Sequence, residues 1–356
     1  MKKEIVAFTL SLALALSAAL AQEPRIRNAR IEYRSAATGL EQQVRAIAAN
    51  QPAAAWIGYA VPLVSGEHNI CCNSSDNCCG TCLLEGKESN SFNMNSNRQV
   101  NLEAPRQLLV LLRIEAGRFT KLRLFSQQCD LDAGGLPFYW IADVRSIESI
   151  NFLKTFATAE SQETRDGKSR LESAVTAIAL HGDAAADRVL EEFVAPGQPE
   201  KLRERAVFWL GAARGRRGFE VLQKLVRSDA SEQIRDKSVF ALYISKEADA
   251  VGEIINTARH DASSKVRGQA LFWLGQKAGK KAQDAITGAI RDDPETDVKK
   301  RAVFALSQLP KDEGVPLLIQ VARTNGNPEV RKQAMFWLGQ SKDPRALAFF
   351  EEILSK

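Results

Sequence analysis

The C-terminal half of the chain repeats one pattern of apolar positions every 32 residues. Phenylalanine recurs at this spacing, without insertion, at Phe208, Phe240, Phe272, Phe304 and Phe336. In the same register an aliphatic and a basic residue, such as Val266 and Arg267, precede each phenylalanine, and a leucine such as Leu274 follows it. A degenerate earlier unit around Val175 fits the same columns. The pattern predicts six repeats of 32 residues over about 165–356.

Each repeat carries two apolar faces with helical spacing. Leu202 and Ala206 fall on one face at about 3.6 residues per turn, and Leu222 falls on a second. The pattern therefore predicts a pair of helices in every unit. Aspartates follow the second face, and Asp293 precedes Pro294, which predicts an N-cap and the first turn of the next helix. Because one pair cannot bury both faces alone, we expect the units to stack into an all-α solenoid.

Tryptophan alternates with alanine in the column that follows the phenylalanines. Trp209, Trp273 and Trp337 occupy this column in three units, and Ala241 and Ala305 occupy it in the units between them. The array therefore has the pattern of a 64-residue double repeat. We expect the tryptophans to lie in the core and the phenylalanines to pack between units.

The repeated motif D-x-x-x-x-V-R-x-x-A-x-x-x-L-G resembles the HEAT-repeat consensus, in the short form of the bacterial bilin-lyase-like HEAT proteins. It is carried here by Asp261, Val266, Arg267, Ala270, Leu274 and Gly275, and the resemblance covers about 190 of the 356 residues. It implies an armadillo-like solenoid that acts as a protein-binding scaffold, with the aspartate and arginine columns forming a structural ladder. A HEAT-built di-iron hydroxylase family is similar in architecture but needs His-Glu pairs. In this chain glycine follows His181 and aspartate follows His260, so the resemblance does not extend to that activity.

Residues 22–164 lack this period and contain short β-type runs bounded by glycine and proline. Strands are predicted at residues 54–64, 107–114, 119–125 and 136–144. Residues 115–117 predict a hairpin turn, and residues 130–135 predict a turn that closes a strand pair. Helical patterns at 39–49 and 147–156 flank the strands. We expect an α+β domain on the N-terminal side of the solenoid.

The first 21 residues predict a signal peptide. Two lysines precede an apolar run over residues 5–20, and Ala19 and Ala21 supply the small residues of a cleavage site. A run of about 16 residues is too short to span a bilayer, and no comparable run follows Gln22. The expected mature chain therefore has no membrane span and is periplasmic or extracellular.

Composition and charge narrow the class of protein. With 45% hydrophobic and 26% charged residues, the chain has the composition of a globular protein, which excludes disorder over its whole length. A net charge of +5 from 48 basic and 43 acidic residues is too small for a groove that follows phosphates, so nucleic acid is not an expected partner. With only three histidines, most histidine-based sites cannot be assembled. We assign no catalytic residue, cofactor or metal site.

The cysteines predict disulfides in a polar loop at 65–97. The candidates are Cys71, Cys72, Cys78, Cys79 and Cys82 in this loop, and Cys129 after the third strand run. Six cysteines in an exported chain give three disulfides most simply, with 15 pairings open. Two alternatives remain open. Clustered thiolates could bind zinc, although the two separated C-x-x-C hooks are missing, and residues 79–82 form a redox-type C-x-x-C within a loop.

The predicted binding surface lies on the second helix of each pair, which in HEAT solenoids typically lines the concave side. Its core column is constant in character, from Leu222 to Leu318, while neighbouring columns vary freely. The candidates for partner binding are Lys224, Arg227, Asn256, Arg259, Arg291, Gln320 and Arg323. We interpret the chain as an exported, non-enzymatic scaffold for protein–protein interaction. The alternative is an enzymatic, redox or metal-binding function in the cysteine-bearing domain, with the solenoid recruiting substrate.

Overall fold

In the computed structural model, two sheets and two helices precede a solenoid of paired helices. The structure describes residues 24–66, 68, 81–85, 106–158, 170–277 and 279–355. The predicted signal peptide and four of the loop cysteines, Cys71, Cys72, Cys78 and Cys79, lie outside these residues. The expected fold class, an α+β region followed by an α-α solenoid, is confirmed.

The N-terminal region contains one larger and one smaller sheet. The strands are β1 (Ile26–Arg27), β2 (Ile31–Ser35), β3 (Ala55–Pro62), β4 (Thr81–Leu83), β5 (Gln107–Glu115), β6 (Arg118–Ser126), β7 (Asp130–Asp132) and β8 (Phe138–Ala142). The larger sheet has the order β2-β8-β3-β5-β6, and the smaller has the order β1-β7-β4. β2, β8 and β3 run parallel, while β3, β5 and β6 pair antiparallel. The four strands predicted from sequence are confirmed.

Turns in this region depend on positive backbone φ. Ala116 at φ 48° and Gly117 at φ 71° form the predicted two-residue hairpin turn between β5 and β6. The turn predicted at residues 130–135 is wrong in part, since Asp130–Asp132 forms β7 and only Gly134 and Gly135, with φ 64° and 85°, turn the chain. The reason is that Leu131 is fully buried between β1 and β4, and a three-residue strand is too short to show an alternating pattern.

The larger sheet is covered on both faces, which explains its almost continuous apolar strands. On β5, Leu108 and Val110 face helices α1 (Leu40–Asn50) and α2 (Ser146–Thr158), while Leu109 faces the smaller sheet. Both helices correspond to helices predicted from the sequence. The core on the helical side continues from the sheet into the solenoid without a break. The domain boundary expected at residue 164 therefore remains a prediction. The buried core is continuous across this point of the chain.

Six pairs of helices follow. They are α3 (Arg170–Leu180) with α4 (Ala185–Val194), α5 (Glu200–Ala213) with α6 (Gly215–Ser228), α7 (Glu232–Ile244) with α8 (Ala250–His260), α9 (Ser264–Gly275) with α10 (Lys280–Asp292), α11 (Thr296–Ser307) with α12 (Lys311–Thr324), and α13 (Pro328–Gln340) with α14 (Pro344–Leu354). The predicted six repeats are confirmed. Successive first helices pack on each other, and their Leu, Ile and Val columns are buried at the 32-residue spacing. In α14 the buried aromatic is Phe349, one residue before the expected Phe350.

The aspartates between units do not cap the following helices as predicted. Asp229, Asp261 and Asp293 are instead the C-terminal caps of α6, α8 and α10. Ser231 and Ser263, two residues later, are the N-caps whose side chains accept backbone N–H bonds. Each aspartate accepts the N–H of the residue two positions on, which starts the turn into the next unit. Its carboxylate is thereby left facing an arginine of the preceding first helix.

Candidate functional site

An arginine–aspartate ladder runs along the interior edge of the solenoid. Arg267 donates from Nε to Asp293 Oδ2 at 2.7 Å and from Nη2 to Oδ1 at 3.1 Å, while its Nη1 donates to the backbone oxygen of Asp261 at 2.9 Å. Arg235 makes the same contacts with the carboxylate of Asp261 and the carbonyl of Asp229. The structural role implied for these columns is confirmed. Each of these arginines bonds the carboxylate of the aspartate 26 residues later and the carbonyl oxygen of the aspartate six residues earlier.

The ladder weakens towards the C-terminal end. Lys299 replaces the arginine and donates to the carbonyl of Arg291, and Asn325 replaces the aspartate while keeping the backbone bond to the residue two positions on. Arg331 donates to the Asn325 carbonyl in the same way as Arg267 donates to that of Asp261. The ladder residues bind one another and backbone groups of the solenoid, so the ladder holds the units together. The predicted binding surface consists of other residues.

Two kinds of contact alternate between successive first helices. A Cβ added to Gly211 would lie 2.2 Å from the backbone oxygen of Ala241, and one added to Gly275 would lie 2.8 Å from that of Ala305. At the interface between these two, the rings of Tyr243 and Trp273 are 4.5 Å apart. Close glycine–alanine contact thus alternates with the packing of a tryptophan ring against an aromatic ring of the preceding first helix. This alternation accounts for the 64-residue double repeat in the sequence.

Aromatic rings form a continuous row across the first helices. Phe208 stacks on Phe240 at 6.2 Å, Phe272 stacks on Phe304 at 6.0 Å, and Trp273 joins the two pairs. The prediction that the phenylalanines pack between units is confirmed, and Phe336, at the end of the row, is 53% exposed. The tryptophans are half-buried against the core and not within it, because the rings lie at the outer edge of the helix contacts.

The predicted binding residues lie on one surface, which we call the second-helix surface. Its members are Lys224, Arg227, Asn256, Arg259, Arg291, Gln320 and Arg323, all exposed except Asn256, which is half-buried. Arg227 donates from Nε to Glu253 of the next unit at 2.8 Å, and Gln223 donates to the same carboxylate. Sequence analysis missed Glu253, although it follows Arg227 by 26 residues, the separation that also joins Arg267 to Asp293.

Four arginines of this surface occupy equivalent positions in successive units: Arg227, Arg259, Arg291 and Arg323. They differ in the acidic group that pairs with each guanidinium. Arg323 pairs with Glu352 and lies over the ring of Phe349, at 5.4 Å from its centroid. Arg291 bonds only its chain neighbour Asp292, at 2.8 and 2.7 Å. The guanidinium of Arg259 makes no hydrogen bond or ion pair with any residue that the structure describes. Two adjacent units therefore present arginines that no other unit neutralises.

A buried polar chain joins the larger sheet to the solenoid. Ser149 Oγ lies 2.9 Å from Tyr59 Oη and 2.9 Å from His181 Nε2, and His181 Nδ1 lies 2.6 Å from the carbonyl oxygen of Ala177. Since a carbonyl only accepts, Nδ1 carries the proton, and Nε2 accepts from Ser149 in the neutral ring. Burial lowers the pKa of His181 from 6.5 to about 4, with Arg214 acting in the same direction. The hydrogen bonds and the burial at this junction therefore favour the neutral form of His181.

We expect acid to weaken this junction. Because the pKa of His181 is lower in the folded state, its stabilising contribution is complete above pH 6.5 and is lost as the pH falls towards about 4, by up to about 3 kcal/mol. The measurement is the free energy of unfolding between pH 7 and pH 5 for wild type and for His181→Gln. The variant should be less stable at pH 7 and show a flatter pH dependence. His260→Gln, at the exposed end of α8, is the control, and an unchanged slope in His181→Gln would refute the assignment.

Two of the predicted disulfide cysteines lie in the described part of the chain. Cys82 and Cys129 are buried in the core between the two sheets, beside Leu131 and Phe138. Among the residues that the structure describes, no three His, Cys, Asp or Glu side chains are grouped so that they could hold a metal ion.

No helix in the described ranges has the length and apolar character needed to cross a membrane.

Comparison with known proteins identifies the repeat. The family profile of HEAT repeats matches residues 284–356, about a fifth of the chain, and the expected resemblance to HEAT proteins is confirmed there. The part of the solenoid from residue 284 onwards is thus similar to HEAT repeats. No curated protein matches the sequence.

Three solved structures are similar to part of this chain. YibA from Escherichia coli is 19% identical, covers 59% of this chain and 79% of its own, and has a TM-score of 0.38. The CpcE–CpcF complex of phycocyanin lyase from Nostoc sp. PCC7120 is 17% identical over 58% of this chain and 80% of its own, with a TM-score of 0.33. Human deoxyhypusine hydroxylase in complex with glycerol is 18% identical over 59% and 74%, with a TM-score of 0.26. Likeness at this level concerns the fold alone.

Proposed function

We propose that this chain is an exported, non-enzymatic scaffold that binds a protein partner through the second-helix surface. The observation that carries the proposal is the contrast on helices α6 to α12. Leu222 and its equivalents in the core column are fully buried and alike. The column beside them, exposed at Lys224 and Gln320 and half-buried at Asn256 and Gly288, changes in residue type from unit to unit. Packing demands little at those positions, so each unit can contact a different part of a partner.

Export is the second part of this proposal. It is supported by the apolar run with two preceding lysines near residue 1, and by the six cysteines, since an even set of cysteines suits an oxidising compartment in which disulfides persist. In this proposal the cysteines stabilise the N-terminal region, and the periplasm or the extracellular space is the location. Cell fractionation of the full chain tests it, and accumulation of an uncleaved chain in the cytoplasm would contradict it.

The binding role is tested by capture from the exported fraction of the native organism. The bait proteins are wild type, the double variant Lys224→Ala/Gln320→Ala on the second helices, and the matched double variant Lys201→Ala/Gln276→Ala on exposed first-helix positions. We expect one protein species to bind wild type and the first-helix variant and to be lost from the second-helix variant. Equal capture by all three baits would refute the assignment of the surface.

A further inference from the structure

The second-helix surface contains two arginines for which the fold supplies no counter-charge from a neighbouring unit. Arg227 faces Glu253, the residue 26 positions further on. The corresponding residue for Arg323 is Phe349, over which the guanidinium lies. For Arg259 and Arg291 the corresponding residues are alanine and leucine, Ala285 and Leu317. Arg259 and Arg291 therefore lack the carboxylate partner that Glu253 provides for Arg227.

Neither arginine contributes a contact that the packing of the solenoid needs. Arg259 is exposed and unpaired within the described ranges, and Arg291 bonds only the exposed Asp292 next to it. A guanidinium fork matches a carboxylate with two parallel hydrogen bonds, as Arg227 shows with Glu253. We propose that Arg259 and Arg291 bind two carboxylates of an extended acidic segment. This inference rests on the proposed function, because that segment would belong to the protein partner.

The spacing of the units specifies the conformation of such a segment. Packed helices lie about 8–10 Å apart, so arginines of successive units are separated by about that distance. A polyproline II chain brings every third side chain to the same side with a rise of about 9 Å, and it leaves its backbone groups unpaired. Asn256 and Gln320 flank the arginines with amide groups that can bond such a backbone. Gly288, between them in the column, has open space where a side chain would be. Acidic residues three positions apart therefore fit this surface.

The test uses a fluorescent peptide with four Glu-Pro-Pro repeats and a matched peptide with Gln-Pro-Pro repeats. We expect wild type to bind the glutamate peptide, with an affinity that falls as salt is added, and to bind the glutamine peptide at least about tenfold more weakly. The double variant Arg259→Ala/Arg291→Ala should lose about tenfold in affinity for the glutamate peptide. Arg227→Ala is the matched control from the same column, and it should change the affinity less than about twofold because Glu253 already neutralises Arg227.

A second variant supplies the missing carboxylate from within the fold. Leu317→Glu places a glutamate where Glu253 stands relative to Arg227, and it should weaken peptide binding as much as Arg291→Ala does. Leu317 is only half-buried, and Leu317→Gln controls for the lost apolar side chain. Thermal melting of each variant checks that it is folded, and Arg291→Ala carries the test should Leu317→Glu not fold.

The outcomes separate this inference from the function on which it rests. Equal binding of the two peptides, binding of neither, or equal losses in Arg227→Ala and the double variant would overturn the acidic segment. Capture of the natural partner that depends on Lys224 and Gln320 but not on Arg259 or Arg291 would also overturn it while leaving the scaffold function intact. Capture that no second-helix substitution alters would refute the proposed function itself.

Discussion

Replacing Asp293 by alanine is expected to lower the free energy of unfolding by about 3–5 kcal/mol. The carboxylate of Asp293 and the guanidinium of Arg267 are 5% and 9% exposed, so the substitution leaves a buried arginine without its counter-charge. It also removes the acceptor of the Glu295 N–H bond that starts the turn into α11. Urea denaturation of the full chain, followed by the helical circular dichroism signal, measures the loss.

The chain offers two controls for this substitution. Asp292 is the adjacent residue, is 62% exposed and pairs with the exposed Arg291, so Asp292→Ala should change the stability by less than about 1 kcal/mol. Asp293→Asn keeps an oxygen for the Glu295 N–H, as Asn325 does for Asn327, and should fall between wild type and alanine. Equal stability of Asp292→Ala and Asp293→Ala would show that the ladder does not hold the units together.

Replacing Gly211 by alanine is the second substitution with a large expected effect. Its Cβ would lie 2.2 Å from the backbone oxygen of Ala241, a separation that requires α5 and α7 to move apart. The backbone of α7 at Ala241 cannot move aside as a flexible side chain can. We therefore expect a loss of about 3 kcal/mol or more in the free energy of unfolding. Thermal and urea denaturation of the purified variant measure it.

Gly339 provides the matched control, since it occupies the same repeat column in α13. No atom lies within 4 Å of the position that its Cβ would take. Gly339→Ala should therefore stabilise the chain by up to about 1 kcal/mol through helix propensity alone. Opposite signs for the two substitutions would confirm the close approach at Gly211, and a stable Gly211→Ala would contradict it.

Sequence predicted the solenoid well because its period repeats the same information many times. Columns such as Val266 and Leu274 recur in every unit, and each recurrence supports the same pair of helices. The strands β1, β4 and β7 were missed because two or three residues cannot display a period, and β2 was missed because its mostly exposed side chains form no apolar pattern. Their positions depend on pairing with residues about 50–100 positions away, which a local pattern does not record.

The binding residues could be placed on a helix face but not ranked from the sequence. All four arginines of the column occupy equivalent positions, and the difference between them lies in the residue that faces each one from the next unit. The 26-residue offset between Arg227 and Glu253 becomes evident only once the crossing of the helices is known. Likewise, Ser149 and His181 are 32 residues apart and belong to different predicted regions, so their contact had no signal in the chain.

The alternating interfaces also determine how an array of this kind can change length. Removing one 32-residue unit, for example 232–263, would bring Gly211 against Trp273, where Ala241 now allows the backbones to touch. The indole would keep the helices apart and would lose its stacking partner Tyr243. Removing two units restores the original neighbours at the new junction. We therefore expect the solenoid to tolerate duplication and deletion in steps of 64 residues, and to lose stability when an odd number of units is removed.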